Sequence, residues 1–177
     1  MKIASRTLIR VAVPAALAGL AMPLVIASPA AAAAGSGINR FGSYVTYNAA
    51  SGFSNEVTVT APGGVLTVTD TAGIAVGFGC RQVNATTATC GLAAGVSNFT
   101  ADLGDRADSF TDSLPAPTFR VVLSAGTGND TVTTGGANDV VSVGDGFADT
   151  VNCDGGTGDI ANGDALDTFV GCELHNP

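Results

Sequence analysis

Aspartate recurs between residues 130 and 167 at steps of 9, 10, 10 and 8. Two residues after each stands an apolar one: Val132 after Asp130, Val141 after Asp139, Val151 after Asp149, Ala161 after Asp159, Phe169 after Asp167. Upstream, Phe110 follows Asp108 in the same way. Glycines crowd the residues before the aspartates, as in "AGTGND", "TGGAND", "GDGFAD" and "GGTGD". A flexible Gly/Ser linker has no reason to hold apolar residues in phase with carboxylates. A period near nine is that of a glycine-rich solenoid unit, in which about six residues turn and about three make a short strand. The residue between two polar neighbours points inward, and glycine supplies turn conformations and close stacking. Two units make one coil, so successive turns alternate between two edges. Asp130, Asp149 and Asp167 then form one column, and Asp139 and Asp159 the other. Carboxylates one strand apart, about 4.8 Å, repel each other unless a hard cation sits between turns. Calcium, with about six to eight oxygens at about 2.3–2.6 Å, suits such a place better than magnesium.

The rest of the chain also reads as β-structure. "NEVTVT" (55–60) and "VLTVTD" (65–70) alternate with period two around the "APGG" turn (61–64). "IAVGFGC" (74–80), "TATC" (87–90), "VSNFTADLG" (96–104) and "FRVVLS" (119–124) are further strand candidates, and "DSLPAPT" (112–118) is a loop. No stretch after residue 40 keeps helical apolar spacing over three turns. At the start, Lys2, Arg6 and Arg10 precede the apolar run 11–27 and the small residues of "SPAAAAAG". This is the pattern of a secretory signal peptide cut near Ala33 or Ala34. The expected division is a signal peptide over 1–34, a Val/Thr-rich β-region over 35–101 and a glycine/aspartate repeat region over 102–177.

Processing removes three of the seven basic residues and none of the 15 acidic ones. Thirteen of those acids lie from Asp102 onward, so the second half attracts cations and repels nucleic acid and anionic membrane. Four cysteines in an exported chain read as disulfides, and they allow three pairings. Cys80–Cys90 with Cys153–Cys172 closes the shortest loops. A zinc site is the alternative, but Cys-x-x-Cys is missing.

"AGTGNDTVT" and "TGGANDVVS" resemble the hemolysin-type calcium-binding (RTX) nonapeptide, Gly-Gly-x-Gly-x-Asp-x-U-x. The layout is also similar to small secreted actinobacterial proteins with such repeats, through "LGDRAD" (103–108) and the closing Cys172–Glu173. The match covers 102–173. The resemblance implies an all-β chain, a right-handed parallel β-solenoid or β-roll, with Ca2+ held between turns. Carried over, the metal-site positions are Gly126, Gly128 and Asp130 in the first unit and Gly135 and Asp139 in the second, where Ala137 replaces a glycine. Gly144, Gly146 and Asp149 match in the third if one residue is inserted. Asp159 matches in the fourth, with its glycines out of register. Arg106 stands where the turn before Asp108 should have glycine. The N-terminal half is either a degenerate continuation of the solenoid or a small β-domain. "SGFSNEVTV" favours continuation, with Asn55 at the aspartate position and Val57 as the apolar residue.

Enzyme chemistry finds little purchase. The only histidine, His175, is at the tail, His-Glu-x-x-His is absent, and no lysine follows Lys2. The expectation is a secreted calcium-binding protein that is not an enzyme and has no nucleic-acid partner or membrane insertion. The competing expectation is a calcium-independent adhesion or structural solenoid. Its threonines, in "VTVT", "LTVT" and "TVT", would face a polymer or cell surface.

Overall fold

The computed structural model describes residues 34–114 and 119–176. The proposed leader, apart from Ala34, and the proline segment of the 112–118 loop lie outside the described residues. The described chain is all-β, with no α-helix among its elements. Its strands are β1 (36–41), β2 (44–49), β3 (56–60), β4 (65–70), β5 (74–76), β6 (81–84), β7 (87–92) and β8 (98–102). They continue as β9 (109–112), β10 (120–124), β11 (131–133), β12 (140–142), β13 (150–152), β14 (160–162), β15 (168–170) and β16 (174–176). The alternating runs became β3 and β4, and each three-residue unit after a repeat aspartate became a strand. "APGG" became a single 3-10 turn at Pro62–Gly64. β1, β2 and β6 had no counterpart among the expected strands.

The strands form two mixed eight-stranded sheets, neither closed. One runs β16-β14-β12-β10-β8-β2-β1-β5 and the other β15-β13-β11-β9-β3-β4-β7-β6. From β8 onward the chain alternates between them, and every neighbour pair from β8 to β16 is parallel. Parallel pairing also carries β2 onto β8 and β3 onto β9, so residues 35–101 and 102–177 share both sheets. Beyond β2 and β3 the pattern changes. β1 returns antiparallel on β2, and β4, β7 and β6 follow antiparallel on β3.

The registers align the apolar position of each unit. Val57, Phe110, Val132, Val151 and Phe169 are successive partners in one sheet. Ala101, Leu123, Val141, Ala161 and His175 are successive partners in the other. All but the terminal Phe169 and His175 are buried. One inward residue per three-residue strand therefore suffices, because its neighbours above and below are also apolar. The larger strands near the head add Tyr47, Val59, Leu66 and Val68, and the Phe99 and Phe110 rings meet at 5.9 Å.

The cysteines pair as their spacing favoured. Cys80–Cys90, with Cα atoms 4.2 Å apart, holds the loop after β5 to β7. Cys153–Cys172, at 5.1 Å, ties the last turn to the preceding turn on its edge. No helix among the described residues is long and apolar enough to cross a membrane.

Candidate metal centre at the carboxylate columns

Each turn from the first sheet to the second presents an aspartate just before the next strand. The backbone N–H of each donates to the carboxylate of the turn that follows. Asp108 donates to Asp130 Oδ1 at 2.8 Å, Asp130 to Asp149 Oδ1 at 2.7 Å and Asp149 to Asp167 Oδ1 at 3.0 Å. Asn55 heads this column and donates to Asp108 Oδ1 at 2.6 Å. On the opposite edge Val121 donates to Asp139 Oδ1 and Asp139 to Asp159 Oδ1, both at 2.7 Å. Asp159 donates to Glu173 Oε2 at 2.8 Å. The predicted metal-site residues Asp130 and Asp149 are therefore brought together on one edge, and Asp139 and Asp159 on the other. The sequence reading did not place Glu173 in a column. Allowing glutamate in the aspartate position would have found it, with His175 two residues on.

These turns tolerate uneven length. The turn before Asp130 spans 125–130, whereas the one before Asp149 spans 143–149 and is a residue longer. The extra residue is taken up where Asp145 folds back, accepting from Phe147 N and Gly128 N, both at 2.8 Å. Asp149 still reaches Asp130. Gly126 and Gly128 take φ of 94° and 139°, and a Cβ on either would collide with the carbonyl of Gly104 or Arg106 in the turn below. Gly146 is also left-handed, while Gly135 and Gly144 are not. Gly135 instead makes room for Asp112, whose Oδ2 would lie 2.9 Å from a Cβ there. Arg106 keeps the left-handed backbone of the glycine it replaces, with φ 82°, a strained choice for a side chain with a Cβ.

Each column carboxylate spends one oxygen on this ladder. The second oxygen of Asp108, Asp130, Asp149, Asp139 and Asp159 is buried with no hydrogen-bond partner. Burial pushes these groups up from the usual 3.8: Asp130, Asp139 and Asp149 to about 6 and Asp108 to about 7. Neighbouring charges add to the rise, Asp130 acting on Asp108 and on Asp149, and Asp159 on Asp139. Asp159 is raised by burial and by Glu173. Asp112, the last residue of β9, is raised to about 6 by burial. The outer turn carboxylates behave oppositely. Asp105 is lowered by Gly52 N–H and the Ser51 hydroxyl, and Asp164 by Leu166 and Gly146 N–H. Solvent and several donors stabilise their charge. Those five second oxygens are buried without a partner and call for a proton or a cation, whereas Asp167, at the end of its column, has Oδ2 accepting from Asp164 N–H at 2.6 Å.

The backbone bond and the spare oxygen can be separated. Asp130→Ala leaves the Asp108 N–H buried and unpaired, a loss of about 1–3 kcal/mol. Asp130→Asn retains an acceptor and should cost less than the alanine variant in urea unfolding without metal. Equal losses would show that the hydrogen bond to Asp108 contributes nothing.

Among the described residues, no three His, Cys, Asp or Glu side chains stand together as a metal-holding group. An ion at these columns would take its remaining oxygens from turn carbonyls and water. No protein-family model, curated protein or solved structure matches the chain.

Proposed function

We propose that this is a secreted calcium-binding protein whose repeat region is a right-handed parallel β-roll, with Ca2+ between successive turns stabilising the fold. One observation carries the reading: the buried, unpartnered second oxygen on every column aspartate that follows a glycine-rich turn. A carboxylate oxygen buried in that state is costly. At neutral pH a cation neutralises it without requiring a proton. The donors are all hard oxygens, and carbonyl-rich turns supply the high, flexible coordination number that calcium prefers. The first site lies between the Asp130 and Asp149 turns, with Gly126, Gly128, Gly144 and Gly146 shaping them. The second lies between the Asp139 and Asp159 turns, with Gly135 at its base. The two disulfides suit an oxidising, extracellular setting, as does the signal-like start.

A calorimetric calcium titration of the chain from residue 35 tests this. Saturable binding is expected, weakened by Asp130→Asn and by Asp139→Asn. Absence of binding heat, together with an unchanged circular dichroism spectrum, sinks the proposal.

A second reading has its own observation. The outer face of the second sheet carries a row of paired threonines, Thr87, Thr69, Thr58, Thr111 and Thr133. A parallel row holds Ser109, Thr131, Thr150 and Thr168. Regular hydroxyls at strand spacing suit adhesion to a repetitive polymer without calcium. Retention on cell wall or polysaccharide in the presence of chelator supports that reading, and free passage counts against it.

A further inference from the structure

Three aromatic rings stand exposed on neighbouring segments at the head of the molecule. Phe41 and Tyr44 are register partners on β1 and β2, 56% and 58% exposed. Phe78, in the turn after β5, is 68% exposed, and its ring stacks on Phe41 with centroids 5.1 Å apart. The backbone of Phe78 is held on both sides. Its N–H donates to Asn39 Oδ1 at 3.0 Å, and its carbonyl accepts from Arg40 N–H at 2.7 Å. A Cβ on Gly77 would collide with the Asn39 amide, and one on Gly79 with the Arg40 carbonyl. Two residues beyond Phe78, Cys80 is bonded to Cys90. The Arg40 guanidinium donates to the Gly42 carbonyl at 2.8 Å, to the Leu92 carbonyl at 2.9 Å and to the Cys90 carbonyl. Leu92 is itself 63% exposed.

Loop carbonyls and amides at a wet surface can leave their bonds to water. Here the chain supplies those partners itself, so this corner can shed its water at little cost while its rings stay uncovered. The exposed parts of Phe41, Tyr44, Phe78 and Leu92 amount to roughly 500 Å², at about 200 Å² for a large side chain. Apolar patches of that size on one chain are often functional. Strand addition is obstructed here. Ile74 N–H donates to the Ala85 carbonyl at 2.9 Å and the Ile74 carbonyl accepts from Gln82 Nε2 at 2.8 Å, which occupies both main-chain groups of this β5 residue. β6, at the head edge of the other sheet, is four residues long with an irregular register. A partner therefore meets side chains rather than a strand edge.

Charge selects the partner. Residues 35–101 hold two arginines, Arg40 and Arg81, and two acids, Glu56 and Asp70, the second of them buried. Residues 102–177 hold thirteen acids and two arginines. Tyr44, Asn98 and Arg120 follow one another across β2, β8 and β10, so no carboxylate enters that row beside the rings. Two copies that meet at this corner join neutral surfaces and leave their acidic repeats on the far sides. A pairing through the repeats sets one acidic half against another, and a head placed on repeats covers carboxylates with apolar rings. We propose that the protein forms a two-fold, head-to-head dimer through Phe41, Tyr44, Phe78 and Leu92. Each patch then covers its counterpart, as an isologous contact requires. Roughly 500 Å² from each copy only reaches the about 1,000 Å² at which specific interfaces begin, so the dimer is weak and exchanging, with a dissociation constant in the micromolar range. The contact lies apart from the carboxylate columns and does not depend on calcium.

Sedimentation velocity on the chain from residue 35 tests this, at concentrations from well below to well above the micromolar range, in chelator and in calcium. The sedimentation coefficient should climb from monomer to dimer and stop there, equally in both buffers. Raising salt from about 0.05 M to about 0.5 M screens the like-charged halves and should leave the dimer as tight or tighter. Phe78→Ser should weaken dimerisation at least roughly tenfold, as expected for an aromatic anchor of a small interface, with an unchanged circular dichroism spectrum. Phe41→Ser takes its place if that variant does not fold. Val170→Ser removes an exposed apolar side chain on the repeats and should leave the dimer unchanged. A monomer at every concentration overturns the proposal, even if vesicles or polysaccharide retain the chain through the same rings. So does association that needs calcium, that salt abolishes, that grows beyond the dimer, or that survives undiminished in folded Phe78→Ser or, failing that variant, in Phe41→Ser. Calcium binding by a chain that stays monomeric fails this contact alone, and a dimer that binds no calcium fails the repeat sites alone.

Discussion

Without divalent cation, the protein should lose stability as pH rises from about 4 to about 8, and calcium should reverse that loss. Asp130, Asp139 and Asp149 titrate near 6 in the folded chain and Asp108 near 7, against 3.8 for an unperturbed aspartate. Between those values the folded state holds protons that the unfolded chain has released. Each group's contribution is complete below about pH 4 and disappears as pH passes its folded value. Asp105 and Asp164 have the opposite sign, but their lowered values put their effect below about pH 4. Calcium competes with the proton for the same oxygens. At about 100 times the dissociation constant, one site contributes about 2.7 kcal/mol. For a domain of this size, at about 2–4 °C per kcal/mol, the melting temperature at neutral pH should rise by roughly 5–10 °C per site. Scanning calorimetry at acid, neutral and mildly alkaline pH, with chelator and with calcium, reads both effects. A metal-free melting temperature that stays flat or rises across that range contradicts the buried columns. Insensitivity to calcium at neutral pH contradicts the metal reading.

Phe110→Ala should cost about 3–5 kcal/mol, the range for truncating a buried aromatic. Phe110 is fully buried and sits in register between Val57 and Val132. Its ring lies against Phe99 of the facing sheet. It therefore joins the head of the molecule to the repeats within one core. Urea unfolding of calcium-saturated protein should show a single transition with a lower midpoint and an unchanged slope. Two separate transitions, with only one shifted, would mean that residues 35–101 fold as an independent unit. Phe169→Ala, at the half-buried end of the same column, should cost clearly less.

Much of this was legible before any coordinates. Aspartate followed two residues later by an apolar residue is a local rule, so it identified Val132, Val141, Val151 and Ala161 as buried and sorted the aspartates onto two edges. The same rule reached Asn55 and Val57, whose glycine signature has decayed. The antiparallel head was less legible. β1, β2 and β6 are ordinary alternating or polar segments, and nothing local says that β4 turns back on β3 while β2 runs parallel to β8. Arg106 in a left-handed turn was also invisible, because its backbone is imposed by the turns stacked around it.

The sequence by itself determined the inward and outward positions and the alternation of turns between two edges, and it favoured the disulfide pairing that closes the shortest loops. These follow from contacts within a few residues or from a fixed repeat length. Only the tertiary structure decided which carboxylate oxygens are spent on the next turn's backbone and which are left buried and free. Only it decided that Asp70, 15 residues from Asn55, holds both Asn55 and Tyr47. Those choices depend on which turn stacks on which. Stacking is set by registers between strands far apart in the chain, and no periodicity within either strand records them.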